Sequence, residues 1–286
     1  MTDIAGRIAL VTGAGSGIGR GLALALAAEG TSVIVADIGE DRAPETVELI
    51  RAAGGSAIAV HCDVSDRRSV QAMKNEAEET LGLPTLLFPN AGVTAFDALH
   101  EMTAQDIDWM IDVNLMGAFH CIEAFLPHMM AYGSGHICAT SSMAGLIPPR
   151  IPDHVPYVAA KMGVIGMMLA MRADYAKYGI GCTVLCPGGV QGRMTECTTV
   201  RPEKYGGPAP AFPVPTDIIA RNKIQFRQPD SVAQMILRAV RNNRAMVLTD
   251  HSRRGFFQEL YVDPVMQAFD DAEAFAKEEE ALAGQA

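Results

Sequence analysis

Short runs of β-branched and aliphatic residues alternate with longer amphipathic stretches along most of the chain. Arg7–Thr12, Ser32–Ala36, Ala57–His61, Thr85–Phe88, His136–Thr140 and Gly181–Cys186 read as strands. Their near-continuous hydrophobicity suits parallel strands covered on both faces. Between them, Gly17–Glu29, Ala43–Ala53, Asp66–Leu81, Thr103–Met130 and Tyr157–Tyr178 carry apolar positions at helical spacing, and the fourth is long enough for two helices. Strands alternating with helices of this length predict βαβ units and an α/β, doubly wound (Rossmann-type) parallel sheet. The pattern lapses after Pro187. Residues 188–228 are rich in Pro and Gly with few periodic apolar positions, as in an enlarged substrate-binding loop after the sixth strand. A helix over Pro229–Arg241 and a short strand over Ala245–Thr249 close the pattern. Residues 263–286 form an acidic, helix-patterned tail with little to bury, read as a frayed or interface-docked end. Residues 1–286 read as a single domain without internal repeats.

Charge and composition narrow the partners. Lys and Arg number 23 against 33 Asp and Glu, a net charge of −10, which argues against nucleic acid or an anionic membrane as the main partner. The first residues show no basic segment followed by an apolar run, and charge, Gly or Pro breaks the most hydrophobic windows. The six cysteines lack CxxC or framework spacing, so reduced thiols and a cytoplasmic location are expected. The seven histidines show no metal-ligand spacing, and no metal is expected.

The first strand runs into Thr12-Gly13-Ala14-Gly15-Ser16-Gly17-Ile18-Gly19, which opens the first helix. Glycines there let the backbone turn sharply and approach a pyrophosphate, which the helix N-terminus then faces. Gly13, Ser16, Gly17, Ile18 and Gly19 are the expected cofactor contacts. Asp37 ends the second strand, where a carboxylate can accept from the adenosine ribose hydroxyls. It would repel a 2′-phosphate, so NAD is the expected cofactor. Arg42, the nearby basic residue, reads as a solvated helix start.

Beyond this turn the chain resembles the short-chain dehydrogenase/reductase family. TGAGSGIG matches its glycine motif, Asp63 in CDV its adenine contact, and Asn90-Ala91-Gly92 its turn after the fourth strand. Asn114, Ser142 and Tyr157-x-x-x-Lys161 match its catalytic set. The resemblance covers about Ala5 to Thr249 and implies that Val64, Pro187, Gly188 and Val190 line the cofactor. It also implies that Tyr157 and Lys161 touch the cofactor, Lys161 through the nicotinamide ribose, and that Asn114 positions a water. Two positions depart from the pattern: Pro89 stands where an asparagine is usual, and Gly192 where a threonine often contacts the carboxamide.

The chemistry of the pair also follows from spacing. Tyr157 and Lys161 are one helical turn apart on one face. A neighbouring cation favours the phenolate, which can take the proton of an alcohol. Ser142, at the end of a strand, can hold the substrate oxygen. Expected substrate contacts are Phe96, Met143, Ile147, His154, Gln191 and Met194. This mostly apolar set suits a bulky hydrophobic or aryl secondary alcohol or its ketone. Ile147–Pro156 reads as a stiff, proline-rich wall. The stretches RMTECTTVRPEKYGG and NNRAMVLTDH are similar to the aryl-ether Cα-dehydrogenases of lignin-fragment breakdown. Rival readings are a non-catalytic NAD-binding regulator and an epimerase or dehydratase on the same fold. The family resemblance also implies a homodimer or homotetramer, through the helices of about Thr103–Met130 and Tyr157–Tyr178. Around much of its circumference the run MGVIGMMLAM is apolar, as a helix buried on one side and paired on the other requires.

Overall fold

The structure is a computed structural model describing residues 2–148, 152–213, 216–221 and 224–283. Its first half strictly alternates: β1 (Ile8–Thr12), α1 (Gly17–Ala28), β2 (Ser32–Asp37), α2 (Arg42–Ala52), β3 (Ala57–His61), α3 (Arg67–Thr80) and β4 (Leu86–Phe88). Then come α4 (Ala104–Ile111), a π-helical turn (Asp112–Met116), α5 (Gly117–Tyr132), β5 (Gly135–Thr140), the one-turn α6 (Met143–Leu146), α7 (Val155–Tyr175) and β6 (Ile180–Cys186). The last third holds β7 (Gly189–Val190), α8 (Thr216–Arg221), β8 (Phe226–Arg227), α9 (Pro229–Arg241), β9 (Met246–Leu248), α10 (Arg254–Phe257) and α11 (Asp263–Ala283).

Seven strands form one sheet in the order β3-β2-β1-β4-β5-β6-β9, every neighbouring pair parallel. The order reverses between β1 and β4, and a crevice opens at the carboxyl ends of the strands there. Alternate strand residues bury on opposite faces. Leu10, Ile34 and Ile137 pack with Met73, Phe125 and Met168 of α3, α5 and α7. Ala9, Val11, Val33 and Val35 pack with Leu22 and Leu26 of α1, Val47 and Ile50 of α2, and Ile236 and Leu237 of α9. Both faces are therefore dry, which is why the strands read as unbroken apolar runs. The fold is the single-domain doubly wound sheet that the alternation predicts, with element ends displaced by one to three residues.

The long region read as Thr103–Met130 is two helices joined through the π turn. Thr103 caps α4, its hydroxyl accepting from Asp106 N at 3.2 Å while Thr103 N donates to the Asp106 carboxylate. By length and hydropathy Val155–Tyr178 would suffice to cross a bilayer. Val164, Met167, Met168 and Met171 bury its inner face against the sheet, so it is a core helix. At the other extreme, α11 buries none of its residues; Val265, Met266, Phe269, Phe275 and Leu282 stand exposed along it.

Candidate active site

Two glycines of the first turn adopt positive φ, Gly13 at 62° and Gly17 at 51°, conformations that side chains disfavour. Space matters as much. A Cβ on Gly13 would lie 2.9 Å from Ala91 Cα, and one on Gly19 would strike the Gly13 carbonyl and sit 2.7 Å from Asn90 Nδ2. The turn therefore lies directly against the Asn90-Ala91-Gly92 loop after β4. Thr12 Oγ1 accepts from Asn90 N and Ala91 N at 3.0 and 3.1 Å, Asn90 Nδ2 donates to Thr12 O, and Thr140 Oγ1 donates to Asn90 Oδ1. One asparagine side chain thus ties the ends of β1, β4 and β5 together. Pro89 costs nothing here, since its carbonyl accepts Thr140 N while Asn90 supplies the donors.

At the end of β2 the Asp37 carboxylate spans two backbone donors, Gly15 N and Gly39 N, both at 2.9 Å. Arg42 departs from expectation. Its side chain is only 16% exposed, lies against Gly15 and Gly39, and donates to Thr199 Oγ1 at 3.2 Å. It is a wall of the cleft rather than a solvated helix start. Sequence spacing alone had no signal for its partner, which lies 157 positions away.

Ser142 caps α6, its hydroxyl accepting from Ala144 N at 3.1 Å, and the same hydroxyl lowers the nearby Tyr157 phenol. Pro156 near the start of α7 presets its first turn, which presents Tyr157 to the cleft. Lys161 follows one turn later with Nζ 5.7 Å from the Tyr157 ring centre, donating to Thr140 O at 3.0 Å. Burial decides the electrostatics of both groups. It pushes the Tyr157 phenol up against the opposing pull of the Ser142 hydroxyl, and pulls the Lys161 ammonium down to about 8.

Asn114 lies on the π turn, a rare helical form that recurs at functional positions. Its amide is engaged at both atoms: Nδ2 donates to Val93 O and Met110 O, and Oδ1 accepts from Val93 N at 3.1 Å. This fastens the loop after β4 to the helix beneath it. A Cβ on Gly92 would stand 2.9 Å from Asn114 Oδ1 and 3.3 Å from Lys161 Nζ, so only glycine leaves the amide and the ammonium in place.

His154 is 4% exposed and stacks on Tyr157 with ring centres 4.2 Å apart and planes 2° from parallel. Phe96 stacks on its other face at 4.6 Å, and its Nε2 pairs with Thr94 Oγ1 at 2.7 Å. Burial drives its imidazole down to about 4, so it is neutral at pH 7. It supports the tyrosine ring as a neutral slab.

These elements enclose one continuous cavity of about 700 Å³. Gly13, Ser16, Gly17, Ile18, Asp37, Asp63, Val64, Asn90, Ala91 and Gly92 line one end, with Ser142, Tyr157, Lys161, Pro187, Gly188 and Val190 further in. Phe96, Met143, His154, Gln191 and Met194 line the outer part. Three expected residues sit behind this surface: Gly19 and Asn114 pack beneath it, and Ile147 is fully buried in the core instead of on the substrate wall. The wall read as Ile147–Pro156 falls partly outside the described residues, at 149–151. Trp109, Cys197 and Phe226 also face the cavity and carry no motif that spacing would reveal. Gly192 has a physical reason: a Cβ there would lie 3.1 Å from Gly17 Cα.

The chain shares this architecture with known proteins. The short chain dehydrogenase profile matches residues 7–202. A C alpha-dehydrogenase of Sphingobium sp. strain SYK-6 is 33% identical over 208 residues, 72% of this chain and 68% of that protein. A 3-oxoacyl-[acyl-carrier-protein] reductase, FabG, of Staphylococcus aureus is 35% identical over 189 residues, 66% of this chain and 76% of that one. Among solved structures, a short chain dehydrogenase/reductase from Burkholderia phymatum in complex with NAD aligns with a TM-score of 0.85 at 33% identity, covering 93% of this chain and 97% of that one. LigO of Sphingobium sp. strain SYK-6, in its apo form, aligns at 0.78 and 29% identity, covering 98% and 96%. Fold and site together define a dinucleotide-dependent oxidoreductase on a doubly wound sheet. The chain belongs to the short-chain dehydrogenase/reductase family.

Proposed function

We propose that this protein oxidises a bulky, hydrophobic or aryl secondary alcohol to its ketone with NAD, or runs the reverse reduction. The observation that carries the reading is the convergence of Ser142, Tyr157 and Lys161, with Lys161 one turn behind the phenol ring, on a cavity floored by the glycine turn. The cleft suits a dinucleotide: its turn has no room for side chains, α1 begins at Gly17 facing it, and Asp37 stands at the adenosine end.

In this reading Gly13, Ser16, Gly17, Ile18 and Gly19 cradle the pyrophosphate, Asp37 takes the ribose, and Asp63 and Val64 take the adenine. Asn90, Ala91, Gly92, Pro187, Gly188 and Val190 line the remainder. Bound NAD supplies the hydride acceptor. Ser142 holds the substrate oxygen, and Tyr157 takes the hydroxyl proton as the carbinol C–H is transferred as hydride, leaving a ketone. The Lys161 ammonium holds the nicotinamide ribose and favours the phenolate. Both Asn114 Nδ2 protons are used, and Oδ1, which accepts one bond, keeps a lone pair for a water on the proton's way out.

Phe96, Met143, Met194 and Phe226 give the outer cavity an apolar and aromatic character that supports an aryl substrate. NADH absorbance with a panel of aryl and alkyl secondary alcohols, and NADH oxidation with a 3-oxoacyl thioester, test the substrate class. Turnover of the thioester alone would overturn the alcohol reading. The cofactor reading has its own test. Asp37→Ala removes the like charge from a 2′-phosphate and leaves Arg42 beside it, so the NADP-to-NAD ratio of kcat/KM rises by about tenfold or more. An unchanged ratio would assign selectivity elsewhere.

We also propose that the protein works as a homodimer or homotetramer in the cytoplasm, where its six cysteines, all free and buried, stay reduced. The outward face of α7 is small and apolar, with Gly166 open and Leu169 44% exposed, as a helix paired with a second copy requires. Leu169→Glu is then expected to give a smaller species by light scattering; a parent protein that is already monomeric would end the idea.

A further inference from the structure

Between β7 and α8 the chain crosses the mouth of the cleft, from Cys197 beside Thr94 near the reactive end to Lys204 at Asp63 on the adenosine side. Two short 3₁₀ turns, Met194–Val200 and Glu203–Tyr205, form this strap. Buried Cys197 and Tyr205 anchor the strap in the core, and charged contacts fasten its length. Arg201 Nη1 meets the Asp106 carboxylate at 2.7 Å, with its guanidinium 4.8 Å over the Trp109 ring. Lys204 Nζ lies 3.5 Å from Asp63 Oδ2, and the Tyr205 hydroxyl donates to Asp112 Oδ2 at 2.7 Å. On the other side Arg42 reaches back to Thr199 and, at 3.7 Å, to Glu196. The strap is basic where the framework is acidic, and the framework's Arg42 meets its glutamate.

Two of these framework residues, Asp63 and Arg42, line the cavity, and the strap presents Val200 and Pro202 to it beside Trp109. Asp63 is informative. Its Oδ1 accepts both the Ser65 amide and hydroxyl, at 2.9 and 2.6 Å, which leaves Oδ2 to Lys204. Tyr205 is 5% exposed, so this end of the strap is packed in as well as tethered.

We propose that the strap is the outer wall of the adenosine subsite, with Val200 and Pro202 covering the base, and that the Lys204, Tyr205 and Arg201 ties set how fast the dinucleotide leaves. The inference rests on the dinucleotide reading of the cleft and adds the residues that enclose its adenosine half. Apolar Val200 and Pro202 suit the face of a planar base, and Lys204 on Asp63 makes the wall sensitive to whether a base occupies the slot.

The test compares three probes in the full-length protein: NADH and reduced nicotinamide mononucleotide, which lacks the adenosine, by their own fluorescence, and ADP-ribose, which keeps it, by displacement of NADH. With Lys204→Ala and Tyr205→Phe combined, NADH dissociation in stopped flow is expected to speed up by about tenfold and ADP-ribose to weaken similarly. The mononucleotide should bind as before. Lys204→Ala alone, at a side chain 44% exposed, spares the fold and should move NADH release in the same direction by a smaller factor. NADH release within twofold of the parent in both variants would overturn the proposal, as would equal weakening of all three probes with a lowered melting temperature. A parent protein that binds neither NADH nor ADP-ribose would instead overturn the dinucleotide reading.

Discussion

Replacing Tyr157 with Phe is expected to lower kcat for alcohol oxidation by about 10²–10⁴-fold, the usual worth of a positioned acid–base group, while NADH still binds. The substitution removes one oxygen and little packing. His154 holds the ring in place by stacking at 4.2 Å, and that contact survives in Phe. The lost oxygen is the partner of Ser142, so Ser142→Ala should act in the same direction with a smaller loss. Activity should climb with pH in the parent, because burial holds the phenol above its ordinary range until a cationic ring enters beside it. His154 should add no limb near its usual value, since it is neutral down to about pH 4. Full turnover in Tyr157→Phe would remove the tyrosine from the chemistry, whereas NADH binding with no turnover of any alcohol in the parent would favour the non-catalytic reading of the fold.

Lys161→Met is expected to raise stability while it destroys activity. The ammonium is 2% exposed and burial pulls it down to about 8, against about 10.4 in an unfolded chain. The folded protein therefore holds this proton more weakly than the unfolded one. Its cost, about 3 kcal/mol at most, is present in full below pH 8, shrinks as pH rises from 8 to about 10.5, and is gone above. Methionine removes that cost and leaves the Thr140 carbonyl without one donor, a loss of about 1 kcal/mol. The net gain of about 1–2 kcal/mol at pH 7 should appear as a melting point a few degrees higher, and should vanish near pH 10. A variant less stable than the parent at pH 7 would mean that the buried ammonium is well compensated. A stabilising substitution at the price of activity is what a site holding a desolvated charge leads one to expect.

The sheet and its helices were legible because each strand and helix carries its own period. Parallel strands covered on both faces must be apolar at every position, and helices packed on one face must repeat every three to four residues, so local patterns alone determined the alternation and the fold class. The glycine turn was legible for a similar reason: Gly13, Gly15, Gly17 and Gly19 form a cluster whose conformational demands show in the residue types themselves, with Asp37 at a set distance along the chain. Tyr157 and Lys161 are neighbours by helical geometry. None of this needed a contact between distant segments.

What only the tertiary structure decided is how distant segments meet. Asn114 looks like a surface or capping residue until its amide is seen binding the backbone of Val93, 21 positions away. Ile147, expected on the substrate wall, turned into the core because α6 ends one residue earlier and the chain folds inward there. Arg42, read as solvated, is covered by a strap whose residues lie more than 150 positions further on. His154 becomes a support for Tyr157 only because Phe96 closes on its other face. The same holds for the protonation states: burial, which no single position encodes, pushes Tyr157 up and Lys161 down. Local periodicity determined the sheet, the helices and the reactive pair. Desolvation and contacts across the chain, which depend on every element packed around a group at once, decided the walls of the cleft and the charges inside it.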